Sequence, residues 1–419
     1  MALLLLLVAE GCRPQTVTHE ESPFEGAPHV LLITVQGLRS DVVGAGDDGG
    51  SSLTPSLDAL FASATVSGTA ITPSPDTAPA LASVLTGLSP WQHQAIYGDK
   101  PRPSRRLYSL AESFRDRGFS TTAALNGPLV RSNAGFTQGF EATFGYWRGG
   151  RIRRHLAELG EKPSFTWVHF DQPQPPFVLG RSGRRARGSR ISFVEMEPYR
   201  NPATALPETA RERFWQGYLR QVARLDGEVG ELLEALRSSG RWEDSLVAFV
   251  SLHGEEFGEL GQIGHGNNMG RTVLEVPWAL KLPRSVEDRQ LHMPERPPVG
   301  RIVSTLLRAS GAQPMPALEP SFFEESSGGA LSELYLGNGV NLFSYVEGDL
   351  QLIRSVRFAR PERKYFLARR QLLGDPRAGG SVAEAEALFH RLRAAFDASR
   401  PFSAGPRVVG NQLFRWSAA

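Results

Sequence analysis

Cysteine is all but absent from this chain of 419 residues, which contains only Cys12. One thiol excludes an intrachain disulfide framework, so a packed core has to hold the fold. Lysine is nearly as scarce, present only as Lys100, Lys162, Lys281 and Lys364. Positive charge therefore sits mostly on arginine, the better two-pronged partner for sulfate, phosphate and carboxylate, although a general compositional bias gives the same pattern. No apolar run reaches the roughly 20 residues that a membrane-spanning helix needs. A large charge excess is missing too, and a net charge of +2 argues against nucleic-acid binding through bulk positive charge. Repeats and heptads are also lacking.

What remains is ordinary globular composition, 41% hydrophobic and 21% charged, in a chain long enough for two or three domains. The first apolar run, Ala2 to Ala9, leads into Ala9-Glu10-Gly11-Cys12. It resembles a bacterial lipoprotein signal, in which the cysteine is lipidated. The expectation is a protein exported to the cell envelope, on the periplasmic or outer-membrane face, and anchored to the membrane through Cys12. Residues 13–27 are polar and contain Pro and Gly, as a tether would. The expected division is a signal and tether over 1–27, an α/β domain over 28–320 and an α+β subdomain over 321–419.

His29 to Asp41, HVLLITVQGLRSD, organises the rest. Its apolar half predicts a strand buried on both faces of a parallel sheet, and Gln36-Gly37 a turn at the strand's carboxyl end, where open α/β sheets bind ligands. Further strands are predicted at 66–71, 121–125, 165–170, 246–250 and 276–282. Helices are predicted from Pro55, over 80–88, 107–117 and 214–236. This alternation indicates a mainly parallel sheet flanked by helices. Past Pro320, four short strands followed by a helix over 382–396 predict a small antiparallel sheet.

Several stretches, in order, resemble the sulfatase family of the alkaline-phosphatase superfamily. They are VLLITVQGLRSD from Val30, TPSLDAL from Thr54, TPSPDTAPALASVLTGLSPWQH from Thr72 and VSLHGEEFGELGQIGHG from Val250. VPWALKLP from Val276, TWVHFDQPQPPF from Thr166 and YFLARRQLLGDPR from Tyr365 extend the likeness. The resemblance implies an alkaline-phosphatase-like fold and a metal-assisted sulfuric or phosphoric ester hydrolase. It also implies a Ca²⁺ or Mg²⁺ ion held by carboxylates at the strand ends, and a nucleophile before a helix. A fixed cation helps both the anionic ester and the attacking oxygen.

Carried over position by position, much of that site is replaced. The two metal aspartates correspond to Gln36 and Leu252, and the nucleophile to Thr77, which cannot become formylglycine. The signature arginine corresponds to Leu81, and two family histidines to Gln174 and Leu260. His93, His253, Glu255, Glu256 and His265 stand where the family has similar groups. The surviving metal set, His253, Gln36 and Thr77, is too poor in carboxylates for a hard cation. No base adjoins Thr77 in the sequence, and a helix N-cap is the blander role for it. Gln36, Gln174 and His265 read as contacts for a sulfated or phosphorylated anion, and His253 and His265 as remnant catalytic groups. For Glu255 and Glu256, surface or helix N-terminal positions are expected. The reading is an envelope binding or scaffold protein without a bound cofactor. The alternative is an active hydrolase using Thr77 and an unconventional metal set such as Asp76, His253 and His265. Arg148, Arg151, Arg153 and Arg154, with Arg181, Arg184, Arg185, Arg187 and Arg190, offer a polyanion surface or a solvated insertion.

Overall fold

The computed structural model describes residues 28–398 apart from 47–50, 97–101, 127–134, 146–149, 179–189, 313, 316–318, 327, 337–339, 358–363 and 370–381. Cys12 with its tether, Arg148, and Arg181 to Arg187 lie outside the described residues.

Seven strands form the main sheet: β1 (His29–Val35), β2 (Val66–Ile71), β3 (Ser120–Leu125), β4 (Ala142–Gly145), β5 (Ser164–Phe170), β6 (Ser245–Ser251) and β7 (Glu275–Lys281). Their order is β2-β7-β6-β1-β5-β3-β4. Only β7 runs against its neighbours, β6 and β2, so the sheet is mainly parallel as the alternating pattern predicts. β1 lies in the middle, pairing in parallel with β5 and β6. Its side chains feed two apolar layers, Val30 and Leu32 on one face and Leu31, Ile33 and Val35 on the other. Period-two alternation with apolar groups at every position requires both faces to be covered.

Helices α1 (Pro55–Ser63), α2 (Thr77–Thr86), α3 (Pro90–His93), α4 (Leu110–Asp116), α5 (Gly150–Ala157), α6 (Glu208–Ser238) and α7 (Val299–Ser310) surround the sheet. Residues of α2, α4 and α7 fill the layer with Val30, and those of α1, α5 and α6 the layer with Leu31. Four elements go beyond the sequence reading: α3, β4, α5 and α7. The spacing of Val299, Ile302, Val303 and Leu306 carries the α7 signal, and all four are buried. Arg151, Arg153 and Arg154 ride on α5; Ile152 and Leu156 are buried, and Arg153 pairs with Glu231 at 2.5 Å. Among the described residues no helix is long and apolar enough to cross a membrane.

Strands β8 (Ala330–Leu336), β9 (Val340–Glu347), β10 (Leu350–Arg357) and β11 (Lys364–Arg369) form the expected antiparallel sheet in that order, with helix α8 (Val382–Ala398) following. Leu334, Leu342 and Ile353 pack on Met269, Val273 and Leu274, while Tyr335, Phe343 and Leu352 pack with Leu388 and Leu392 of α8. This sheet grips the segment that leads to Thr77. Ser332 donates through its hydroxyl to the Thr72 carbonyl at 2.6 Å, and the Glu333 amide donates to the Pro73 carbonyl at 2.8 Å. The Glu333 carboxylate accepts from the Trp91 amide at 3.0 Å and from the Tyr335 hydroxyl at 2.5 Å.

Burial raises the Glu333 carboxyl from 4.5 to about 7, against the opposing pull of these hydrogen bonds. The folded state keeps a proton that the unfolded state loses, so this group withdraws stability as pH rises from 4.5 towards 7. That withdrawal amounts to about 3 kcal/mol. Glu333→Gln is expected to remove it, and denaturant unfolding at pH 4.5 and 7 measures the difference. An unchanged pH slope would show that Glu333 is ionised in the fold.

Candidate functional site

Parallel neighbours end on the same edge of a sheet, so β1 and β6 deliver Gln36 and Leu252 side by side. Val35 and Ser251 are in register, and the Leu252 amide donates to the Val35 carbonyl at 2.8 Å. Beyond Gln36 the chain turns at Gly37, whose φ is +77°. A β-carbon there would lie 2.7 Å from the Pro173 carbonyl oxygen, so the turn admits only glycine.

Gln36 is buried, and its amide is engaged at both ends. Its Nε2 donates to His169 Nε2 at 2.7 Å, while its Oε1 accepts from Gln174 Nε2. His169 in turn donates from Nδ1 to Thr34 Oγ1 at 2.8 Å, which also accepts from Trp167 Nε1 at 2.9 Å. The chain of donors is consistent only with neutral His169, protonated at Nδ1. Burial, with His253 nearby, lowers this imidazole to about 3. Leu252 is buried in the apolar layer that also holds Leu81, Ala78 and Val276. One strand end is thus a closed uncharged network and the other is core.

Thr77 opens α2, one position after the N-cap Asp76. It is therefore a first-turn residue, at the electropositive end of a ten-residue helix. Its hydroxyl lies 2.8 Å from His253 Nε2, and His253 Nδ1 lies 2.8 Å from the Gly254 carbonyl oxygen. A carbonyl can only accept, so Nδ1 carries the proton, Nε2 is bare, and Thr77 donates to it. This is the geometry of a hydroxyl nucleophile and its base. The base is weak: burial, then the neighbouring His265, lower His253 to about 3. Against a base poised near neutrality that is a deficit in proton-transfer driving force. A carboxylate in place of the Gly254 carbonyl would reduce the deficit.

His265 stacks on His253, with ring centroids 4.1 Å apart, and its Nδ1 lies 2.9 Å from Glu255 Oε2. Glu255 is completely buried, and burial raises it to about 8. Arg200 Nη2 donates to the His265 carbonyl at 3.0 Å. Half-buried Asp76 is also raised by burial, with His265 and Arg200 opposing the rise. Glu256 is equally buried but serves the loop, accepting from Asn268 Nδ2 at 3.0 Å, from Thr272 Oγ1 at 3.3 Å and from the Leu260 amide.

Comparison with known proteins places this arrangement. The Sulfatase family model matches residues 28–153 and 151–280, taking in both strand ends, Thr77, His253 and His265. The chain belongs to the sulfatase family. It is 24% identical over 293 residues to the ulvan-active sulfatase of Formosa agariphila, covering 62% of this chain and 56% of that protein. The chain spans between just over half and about two thirds of the length of the curated relatives it matches. Among solved structures, the phosphonate monoester hydrolase of Silicibacter pomeroyi is similar at TM-score 0.64 and 16% identity, over 88% of this chain and 94% of that one. A structure solved with its substrate D-glucosamine-2-N,6-O-disulfate is similar at TM-score 0.64 and 12% identity, over 89% and 98% of the two chains.

A sulfatase-family site with a hard cation needs several oxygen ligands, mostly anionic. The strand ends supply a Gln36 amide already bonded at both ends, and a leucine packed in the core. These residues do not fit Ca²⁺ or Mg²⁺ held at the strand ends. The expected set of Gln36, Thr77 and His253 also divides: Thr77 and His253 bond each other, whereas Gln36 bonds His169 and Gln174.

Three expectations are corrected. Thr77 has an imidazole within hydrogen-bond reach, that of His253, brought from 176 positions along the chain. It is not the N-cap, a place taken by Asp76. Glu255 and Glu256 are buried rather than on the surface or at a helix start, because the β-bridged loop after β6 folds under itself. His169, Arg200 and the Gly254 carbonyl escaped the sequence reading. His169 had a signal, as a polar residue inside an otherwise apolar strand; Arg200 and Gly254 had none.

Proposed function

We propose that this chain is a sulfatase-family protein that recognises a sulfated or phosphorylated ligand in the envelope without the family's hard-cation hydrolysis. The observation that carries the reading is the pair of strand ends, where an amide network at Gln36 and a core leucine at Leu252 stand in place of cation-holding carboxylates. A pocket without those two negative charges repels an anion less, and Gln174, His265 and the amino end of α2 remain to meet it. The sulfated sugar bound by a structural relative supports this ligand class. Export and lipid anchoring at Cys12 belong to the same proposal.

Calorimetry with the full chain tests it, comparing a sulfated oligosaccharide with its desulfated counterpart. Expected is sulfate-dependent binding that millimolar Ca²⁺ or Mg²⁺ leaves unchanged, and no turnover of aryl sulfates or phosphate esters. Hydrolysis that requires Ca²⁺ or Mg²⁺ would overturn the reading.

The Thr77–His253 hydrogen bond favours a second reading, cation-independent ester hydrolysis. His253 Nε2 takes the Thr77 proton as the oxygen attacks the sulfur or phosphorus, the ester bond to the alcohol breaks, that proton passes to the leaving alcohol, and water then releases the group held on Thr77. A bound anion would raise His253 and offset part of its weakness as a base. Under that reading Thr77→Ala lowers turnover at least about 100-fold and Thr77→Ser does not.

A further inference from the structure

We propose that His253, Glu255 and His265 form a binding site for a borderline divalent cation of the Zn²⁺ class, set apart from the strand-end position of the family's hard cation. One ligand atom from each lies within 4.8 Å of the others, the only such group of histidine, cysteine or acidic side chains among the described residues. A Zn²⁺ ion with donors at about 2.0–2.1 Å draws a trio of this size together by modest side-chain movement. His265 Nδ1 and Glu255 Oε2, 2.9 Å apart, already face each other where two ligands of one cation would.

A second observation points to a missing partner. Glu255 Oε1 is buried and has no hydrogen-bond partner among the described residues, in a residue with no exposed surface. A buried carboxylate oxygen without a partner is costly, and a bound cation would supply one. The donor set selects the metal. Two imidazoles and a single carboxylate suit Zn²⁺ or Co²⁺, whereas Ca²⁺ and Mg²⁺ require more oxygen. Arg200 is offset by Asp76, and Arg39 is paired with Asp41 and Glu259, so the neighbouring arginines leave little unbalanced positive charge to repel a cation. The two imidazole planes are 28° apart, so one ring turns when both coordinate. The His253 ring is the one whose rotation releases Thr77. Three protein ligands leave a coordination position open, and the His265 side chain, 14% exposed, marks the side from which solvent or an anion enters. The site shares the pocket of the proposed anion site but does not rest on that reading.

The test uses the full chain, stripped with chelator and dialysed, then titrated with Co²⁺ and Zn²⁺. Expected are visible Co²⁺ absorption bands that saturate at one ion per chain, one retained Zn²⁺ by elemental analysis, and a higher Tm with Zn²⁺ but not with Ca²⁺. Glu255→Gln and His265→Asn are expected to weaken Zn²⁺ binding by roughly 100-fold or more, while the surface change Arg224→Ala on α6 leaves it unchanged. Far-UV circular dichroism identifies a variant that has not folded, in which case the other variant decides. Failure to bind one ion per chain would overturn the proposal, as would binding that both folded variants retain. Zn²⁺ binding that fails while sulfate-dependent ligand binding persists removes this centre and leaves the anion site standing.

Discussion

Leu252→Asp is expected to lower unfolding stability by about 4 kcal/mol, from a leucine's lost burial plus an unpaired carboxylate placed in the core. Leu252 is buried in the layer containing Leu81 and Val276, and no described cationic side chain is hydrogen-bonded there to receive the charge. Urea unfolding at neutral pH reads the loss directly. Adding Gln36→Asp deepens the loss by placing like charges on adjacent strand ends and breaking the bonds to His169 and Gln174. The double variant, unlike the wild type, is then expected to gain Tm in millimolar Ca²⁺, because two carboxylates restore hard ligands to that edge. A double variant indifferent to Ca²⁺ would mean that the pocket has closed around its new contents, and a single variant of wild-type stability would mean that Leu252 is not packed.

The stability difference between wild type and His93→Gln is expected to shrink by about 3 kcal/mol on going from pH 7 to pH 4. His93 joins α3 to α2, donating from Nε2 to the Pro79 carbonyl at 3.1 Å and accepting at Nδ1 from the Ala95 amide at 3.0 Å. Both ring nitrogens are used in the neutral form, and burial lowers the group from 6.5 to about 3. In the unfolded chain the imidazole takes up a proton as pH falls below 6.5, while in the fold it stays neutral until about 3. Its contribution is therefore complete above pH 6.5 and is lost as pH falls towards 3. Glutamine cannot titrate, so the wild type alone carries this slope. Glu333 has the opposite sign over much of the same interval, so the wild type changes less than His93 alone would make it. Paired unfolding curves at the two pH values decide the matter; a constant difference would show that His93 is protonated in the fold.

The strands were legible because their signal is local. Val30 to Val35 has an apolar residue or threonine at every position, and only a strand covered on both faces accommodates that. The antiparallel sheet from Ala330 to Arg369 announced itself through turn residues between short runs. Helix α2 starts at Thr77, three residues before the expected Ala80, because Pro79 is allowed in a helix's first turn yet resembles a loop residue in a stretch rich in Ser, Pro and Asp.

For the site, the sequence by itself determined what is missing. A leucine side chain has no donor atom, so the Leu252 side chain is no metal ligand in any fold, and threonine cannot become formylglycine wherever Thr77 sits. Only the tertiary structure decided what the remaining groups do. Parallel strands joined by long crossovers bring Thr77 to His253, Gln36 to His169 and Gln174, and His265 to Glu255. The same packing excludes water, and exclusion of water sets the protonation of those histidines and carboxyls. Residue type is written in the chain, but hydrogen-bond partners and desolvation belong to the surroundings that folding creates.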